Sequence, residues 1–328
     1  MRTFALPMTL LAGMFVVSMH PSPAQAQLAH TWVASNGSDG ANCDRPTPCA
    51  TFTGAYNKTN AKGEITCVDS GNYQGLSFPA INKSITINCE AAIGSSTTTG
   101  GLAGDNFVIN TAATDVVTFR GLDIDALGSV GGGGGGMIKF VGAGVLHVEK
   151  VRITNVGGSF NGIRFAPTGP SRLDVADSFI AHTGTDIASA GISIRPTGSG
   201  SANVSIDRVR LQGNVNGIFL DGSGGGGAVN LNVRDSVVTG SSNVGIVVAS
   251  SGQGYSVVVD RTTVNSSFNV GVAVSGAAAT VRINDSTISG NVTGVGAFGG
   301  GNLRSYKNNR INGNGTDGTP IAAVDALN

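Results

Sequence analysis

Three basic side chains, Lys139, Arg164 and Arg195, lie within or directly after short aliphatic segments of this 328-residue chain. Guanidinium groups bind carboxylates through bidentate, charge-assisted hydrogen bonds, and ammonium groups bind them as point charges. Lys139, Arg164 and Ser193 are predicted to share one outward column, and Arg195 lies two residues beyond Ser193. We interpret the three cations as a candidate ligand-binding site for a polyanion such as a polyuronate. The alternative is that they are ordinary solvated cations, partly paired with Asp221.

A second group of candidates combines carboxylates with arginines: Asp123, Asp125, Arg152 and Arg210. Stacking of equivalent segments places Asp123 beside Arg152, and elsewhere places His147 beside Asp174. Elimination chemistry needs a base beside an acidified carbon, and carboxylates can hold calcium there. These four residues are the weak catalytic candidates of the sequence, and calcium is a cofactor only in that case. Otherwise we predict no cofactor and no metal site, and the four residues are ordinary polar residues of an exposed β surface.

The four cysteines, Cys43, Cys49, Cys67 and Cys89, all lie in the first third of the chain that follows residue 26. Zinc-ligand spacing is missing from the sequence around them. Cys67 and Cys89 are about one structural repeat apart and share inward parity with Ile65 and Ile87, which predicts a disulfide between stacked strands. Cys43 and Cys49 would then close a small loop.

The elements that position these groups are defined by a motif that returns about every 23 to 31 residues. Each copy places aliphatic residues on one side of three short strands by period-two alternation. Such a period predicts a solenoid, because no single coil buries enough apolar surface to offset its ordering entropy. The main copies are Val148–Ile153, Val175–Ile180, Ile206–Leu211, Val233–Val238, Val259–Val264 and Ile283–Ile288, with weaker copies at Phe119–Ile124 and Tyr306–Ile311.

The corners of the coils carry two further patterns. A glycine precedes each third strand, as at Gly162 and Gly217, where we expect a tight corner with positive φ. At the first corner the charge alternates in sign between successive coils, which predicts a register-fixing ladder rather than a binding site. The ladder consists of Lys150, Asp177, Arg208, Asp235, Arg261 and Asp285.

Composition restricts the class of protein. Lys plus Arg and Asp plus Glu are both 20, so no basic excess points to nucleic acid, and 51 glycines with 5% aromatics indicate a turn-rich β protein. Residues 1–26 combine Arg2, an apolar run from Leu10 to Val17 and a small-residue Ala24-Gln25-Ala26 end, which is typical of a signal peptide. A membrane anchor is the alternative, but the run is too short to span about 30 Å of hydrocarbon. We therefore predict export, with no membrane span after cleavage.

The coils from Ile65 to Ile311, together with an opening that runs from Thr31-Trp-Val-Ala-Ser-Asn-Gly to Lys83-Ser-Ile-Thr-Ile87, resemble secreted bacterial proteins of the pectate-lyase-like superfamily. The resemblance implies an all-β fold, a single-stranded right-handed parallel β-helix with a short N-terminal helical cap. The catalytic motifs of the polygalacturonase branch (Asn-Thr-Asp, Asp-Asp, Gly-His-Gly, Arg-x-Lys) and of the pectate lyase branch (Trp-Ile-Asp-His, Arg-x-Pro-x-x-Arg) are absent from the sequence. The resemblance therefore assigns no catalytic residue.

These observations predict a signal peptide at 1–26, an extension and helical cap at 27–63 with the helix within Ala50–Ala61, a β-helix at 64–312, and a tail or cap at 313–328. The favoured function is an exported protein that presents an extended face to a polysaccharide or another surface partner, without evident catalytic machinery. A polysaccharide lyase acting on an acidic polysaccharide and a structural or adhesive surface protein are the alternatives. The sequence leaves the oligomeric state open.

Overall fold

The computed structural model describes residues 28–74, 78–92, 94–97, 105–128, 134–318 and 321–323. The predicted signal peptide and the last five residues lie outside these ranges. Over the described residues the chain is almost entirely β, with strands that pair in parallel with their equivalents in the neighbouring coils. The predicted all-β parallel β-helix is confirmed. No helix in the described part of the chain has the length and hydropathy needed to cross a bilayer.

Three parallel sheets run along the solenoid. Their described parts contain 12, 10 and 9 strands, respectively. The first sheet contains Leu28–Val33, Thr59–Cys67, Ile85–Asn88, Val116–Arg120, Gly144–Glu149, Pro170–Ala176, Ser201–Asp207, Val229–Arg234, Tyr255–Asp260, Ala279–Asn284, Asn302–Ser305 and Ala322–Ala323. The second contains Gly71–Asn72, Gly94–Thr97, Leu122–Asp125, Arg152–Val156, Phe179–Thr183, Arg210–Gln212, Val237–Thr239, Thr263–Asn265, Thr287–Ser289 and Arg310–Ile311. The third contains Phe107–Ile109, Gly136–Phe140, Asn161–Phe165, Ala190–Ile194, Asn216–Asp221, Ile246–Ala249, Val270–Ser275, Thr293–Phe298 and Thr316–Gly318.

The core lies inside the tube that the three sheets enclose. Leu146 and Val148 are buried, whereas the alternate residues His147 and Glu149 face outward, so period two assigns each side chain to one side. The repeat register is also confirmed, because Phe119 pairs with Val148. The last copy departs from it. Ser305, not Tyr306, pairs with Ile283, while Ile311 still pairs with Ile288, so this corner holds one extra residue.

The expectation of positive φ at the glycines before the third strands is wrong. Gly162 and Gly217 have ordinary φ values, and their role is close approach: a Cβ on Gly217 would lie 2.3 Å from Val238 Cγ1 and 2.5 Å from the Gly245 carbonyl oxygen. Positive φ occurs at the first corner instead. All six members of the charge ladder adopt it, with φ between 40° and 53°. Their backbone N–H groups donate to the next coil, as Arg208 N does to Arg234 O at 3.1 Å.

The N-terminal end of the tube is closed as predicted, but by a shorter helix. The helix spans Phe52–Lys58, because the first-sheet strand already begins at Thr59, and its face of Phe52, Ala55 and Tyr56 is buried. The strand Leu28–Val33 precedes the helix and pairs with Thr59–Cys67, which the sequence did not indicate. Both predicted disulfides, Cys43–Cys49 and Cys67–Cys89, are present.

Candidate functional site

The predicted cations Lys139, Arg164 and Arg195, here called the basic patch, lie on the outer face of the third sheet. Arg164 pairs in register with Lys139 on one side and with Ser193 on the other. Arg195 follows directly after the strand that contains Ser193. Because neighbouring strands are about 4.8 Å apart, the three cations occupy consecutive rungs.

Two of the three cations have carboxylate partners. Lys139 Nζ lies 2.7 Å from Asp105 Oδ2, and Arg195 Nε lies 3.3 Å from Asp221 Oδ2. The sequence indicates the pairing with Asp221 but not the contact with Asp105, because Asp105 lies before the strand Phe107–Ile109 and outside every repeated motif. Asp105 is also fixed by the Gly136 N–H, which donates to its Oδ1 at 2.8 Å.

Arg164 is the exception in the basic patch. It is half-buried, and it forms no hydrogen bond or ion pair with any described residue. Burial lowers the pKa of its guanidinium and the neighbouring Arg195 lowers it further, while Asp105 and Asp221 oppose this shift. A guanidinium remains charged even so. Arg195 Nε is itself buried without a hydrogen-bond acceptor. Arg164 is therefore the member of the basic patch without a partner among the described residues.

The four catalytic candidates lie on the second sheet and are only partly brought together. Asp123 accepts a hydrogen bond from Arg152 at 3.0 Å, as the stacking predicted. Asp125 instead accepts from Asn155 Nδ2 at 3.1 Å. Arg210 lies two strands from Arg152, because Phe179 on the strand between them pairs with both. The Nε of Arg210 donates to Gln212.

Within the described ranges, no three His, Cys, Asp or Glu side chains group so as to hold a metal ion. Asp123 and Asp125 already have partners, so calcium binding there would have to displace an arginine and an asparagine. The local geometry supports a structural role for these pairs more than proton transfer.

The charge ladder at the first corner is paired through part of its length. Arg208 Nε lies 2.7 Å from Asp177 Oδ1, and Arg261 Nε lies 2.7 Å from Asp235 Oδ1. Hydrogen bonding by these arginines lowers the pKa of both carboxyls. Lys150 reaches Glu90 rather than Asp177. Pairing between successive coils agrees with the register-fixing role.

The outer face of the first sheet carries a long concavity that the sequence did not single out. We call it the first-sheet trough. Three depressions of 300, 500 and 510 Å³ follow one another along it, from Thr118 to Asn308. Asp174 lines the first two, and Asn232 and Val258 line the last two, so each depression adjoins the next. The polar lining of the middle depression comprises Arg172, Asp174, Asn203, Ser205, Asn230, Asn232 and Ser256.

The predicted contact between His147 and Asp174 lies in this trough. Asp174 Oδ2 is 3.0 Å from His147 Nδ1 and 2.8 Å from Arg172 Nε. Burial opposes ionisation of Asp174, but the hydrogen bonds from His147 and Arg172 outweigh it and lower the pKa of the carboxyl. Asp174 is therefore a fixed, charged partner for both neighbours.

Comparison with known proteins gives a fold and no family. No protein-family model matches the chain, and no curated protein matches its sequence. Among solved structures, the crystal structure of pectate lyase Pel9A is similar, with a TM-score of 0.50 and 12% sequence identity over 85% of this chain and 75% of that one. Together with the three stacked sheets, this similarity shows that the chain has a pectate-lyase-like parallel β-helix fold.

Proposed function

We propose that this chain is an exported β-helix protein that binds an acidic polysaccharide at the basic patch without cleaving it. The supporting observation is Arg164, a half-buried guanidinium with no hydrogen-bond or ion-pair partner among the described residues. Holding an unpaired cation against a sheet costs stability, and a carboxylate ligand would remove that cost.

Three further observations support parts of the proposal. Two disulfides are typical of proteins in oxidising compartments. A rigid row of rungs can meet an extended polymer over many contacts. Asp123 and Asp125 are already held by Arg152 and Asn155, which favours binding over catalysis.

The test is affinity electrophoresis through gels that contain polygalacturonate. We expect Arg164→Gln to weaken retention at least several-fold, and the triple variant Lys139→Gln/Arg164→Gln/Arg195→Gln to abolish it. Retention of the parent should fall steeply as salt is raised past about 0.15 M, where exposed charges are screened. The matched control is Arg282→Gln on the first sheet, which removes the same charge elsewhere. Equal losses for Arg164→Gln and Arg282→Gln would reduce the effect to net charge and exclude the patch.

A polysaccharide lyase is the second candidate, because the similar structure is that of a pectate lyase. Incubating the parent with polygalacturonate, with and without calcium, and following the ultraviolet absorbance of unsaturated uronate ends distinguishes the two. Product that disappears in Arg152→Gln would establish elimination at the second sheet. Neither retention nor product would favour a structural or adhesive role.

A further inference from the structure

We infer that the first-sheet trough is a second binding site, for an extended neutral polysaccharide. It lies on a different sheet from the basic patch and is carried by different residues. The inference therefore does not depend on the function proposed for the patch.

The shape of the trough indicates a polymer. Its depressions share lining residues from one end to the other, and they cross the strands from Val116–Arg120 to the residues after Asn302–Ser305. Seven steps of about 4.8 Å make it roughly 34 Å long. A small molecule would occupy one depression, whereas an extended chain can occupy all three.

The charges that line the trough indicate a neutral ligand. Arg172 contacts Asp174, and Arg120 lies 2.9 Å from Glu149. Asp260 is paired with Arg261 at 2.6 Å. Each carboxylate on the lining therefore has its own cation. The guanidinium of Arg282, which lies in register with Val258, donates to Ser256 at 3.3 Å. An ionic ligand would have to break these pairs.

The floor of the trough indicates hydroxyl groups as the ligand chemistry. Asn203, Asn230 and Asn232 are exposed and lie on adjacent rungs, in register with one another or with Ser205. Asn230 Nδ2 donates to Asn203 Oδ1 at 3.1 Å, which leaves Asn203 Nδ2 and Asn230 Oδ1 for a ligand. The Asn232 and Ser205 side chains form no hydrogen bond with any described residue. Amides and hydroxyls both donate and accept, as sugar hydroxyls do, so the two surfaces are complementary.

The ligand should be extended, because the columns of the trough run in register across successive strands. Asn203, Asn230 and Ser256 form one column, and Ser205, Asn232 and Val258 form the next. A coiled polymer could touch the columns only at intervals. β-1,4-linked glycans are extended, and we take them as the occupant.

The experiment is affinity electrophoresis of the full chain in gels containing hydroxyethylcellulose, xylan or mannan, with polygalacturonate as the acidic comparison. We expect the parent to be retarded by at least one neutral polymer, with a Kd that changes less than twofold between about 0.05 M and about 0.5 M salt. The variant Asn203→Ala/Asn230→Ala/Asn232→Ala should weaken that binding at least tenfold. Its circular dichroism and melting temperature should match those of the parent, since all three side chains face outward.

Two control variants separate this site from the basic patch. Asn265→Ala removes an amide from the second sheet and should leave neutral binding unchanged, and Arg164→Gln should do the same. Absence of retardation by all three neutral polymers would overturn the inference. So would a triple-alanine variant that binds them as the parent does. Loss of polygalacturonate binding in that variant, with Arg164→Gln unaffected, would move the acidic ligand into the trough and overturn both proposals.

Discussion

The outer faces of the first and third sheets are built on the same scaffold and differ in how their charges are paired. On the first sheet, Asp174 contacts His147 and Arg172, and the other carboxylates that line the trough, Glu149 and Asp260, are each paired with an arginine. On the third sheet, Arg164 stands without a partner among the described residues, between the Lys139–Asp105 and Arg195–Asp221 pairs. The two proposals therefore assign ligand preference to unpaired charge and not to the number of charged residues.

The same difference separates stability from binding. On a face whose charges are paired, the ion pairs contribute to folding. The groups of that face that can still bind a ligand are neutral amides such as Asn232. An unpaired guanidinium contributes little to folding and is available to an anion. Four predictions test this comparison, and they follow in order of expected effect.

The largest expected loss of stability tests which side chains of the third sheet point inward. The assignment of the outer face of that sheet depends on this alternation. Ile246 is fully buried, whereas Val247 is partly buried on the outside against Val244, Val270 and Ala273. Ile246→Asp should cost several kcal/mol and prevent cooperative folding, because it places a carboxylate in the core. Val247→Asp should cost only about 1 kcal/mol. Urea unfolding of both variants is the measurement, and equal midpoints would contradict the parity.

The first sheet has a covalent tie that the described part of the third sheet lacks. Cys67–Cys89 joins two of its neighbouring strands with Cα atoms 4.8 Å apart and a sequence separation of 22 residues. Closing a loop of that size is expected to contribute about 3 kcal/mol to the free energy of unfolding. The double variant Cys67→Ser/Cys89→Ser should show this loss in denaturant titration. Cys43→Ser/Cys49→Ser, which opens a much shorter loop, should lose less, and the reverse ranking would contradict the loop-length argument.

A carboxylate on the third sheet should restrain binding to polyanions. Asp221→Asn frees Arg195, and we expect several-fold tighter retention on polygalacturonate, equivalent to about 1 kcal/mol, with a steeper salt dependence. Asp207→Asn changes the net charge equally but lies on the first sheet, between Arg208 and Arg234. It should have a smaller effect. Equal gains would mean that overall charge, not the patch, controls binding.

The smallest expected effect is a pH-dependent change in stability, and it tests the contacts of Asp174 on the first sheet. Since the pKa of Asp174 is lowered in the folded chain, its contribution is present above the unfolded value of about 3.9 and is lost as pH falls through the folded pKa. Asp174→Asn should therefore lower the free energy of unfolding by about 1 kcal/mol at neutral pH. The difference from the parent should disappear in acid. A difference that persists at pH values below the folded pKa would show that packing, not charge, explains the loss.

Much of the candidate site was predictable from the sequence, and the part that was not predictable has a physical reason. The columns that contain Arg164 and the stacking of His147 on Asp174 followed from period two and the repeat length, because parallel in-register strands place equivalent residues together. Asp105 was not predictable. It reaches Lys139 from a segment without a repeat signature, so only the path of the chain around the corner shows the contact.

The sequence by itself determined the solenoid, the inward and outward parity of its strands, the disulfide partners and the alternating charges of the first corner. All of these depend on spacing along the chain, which local periodicity preserves. The tertiary structure alone decided which glycines serve close packing, that Leu28–Val33 adds a strand to the first sheet, and which cations keep a partner. It also decided where neighbouring rungs leave a trough. Those features depend on distances between coils of unequal length, and a linear pattern does not encode them.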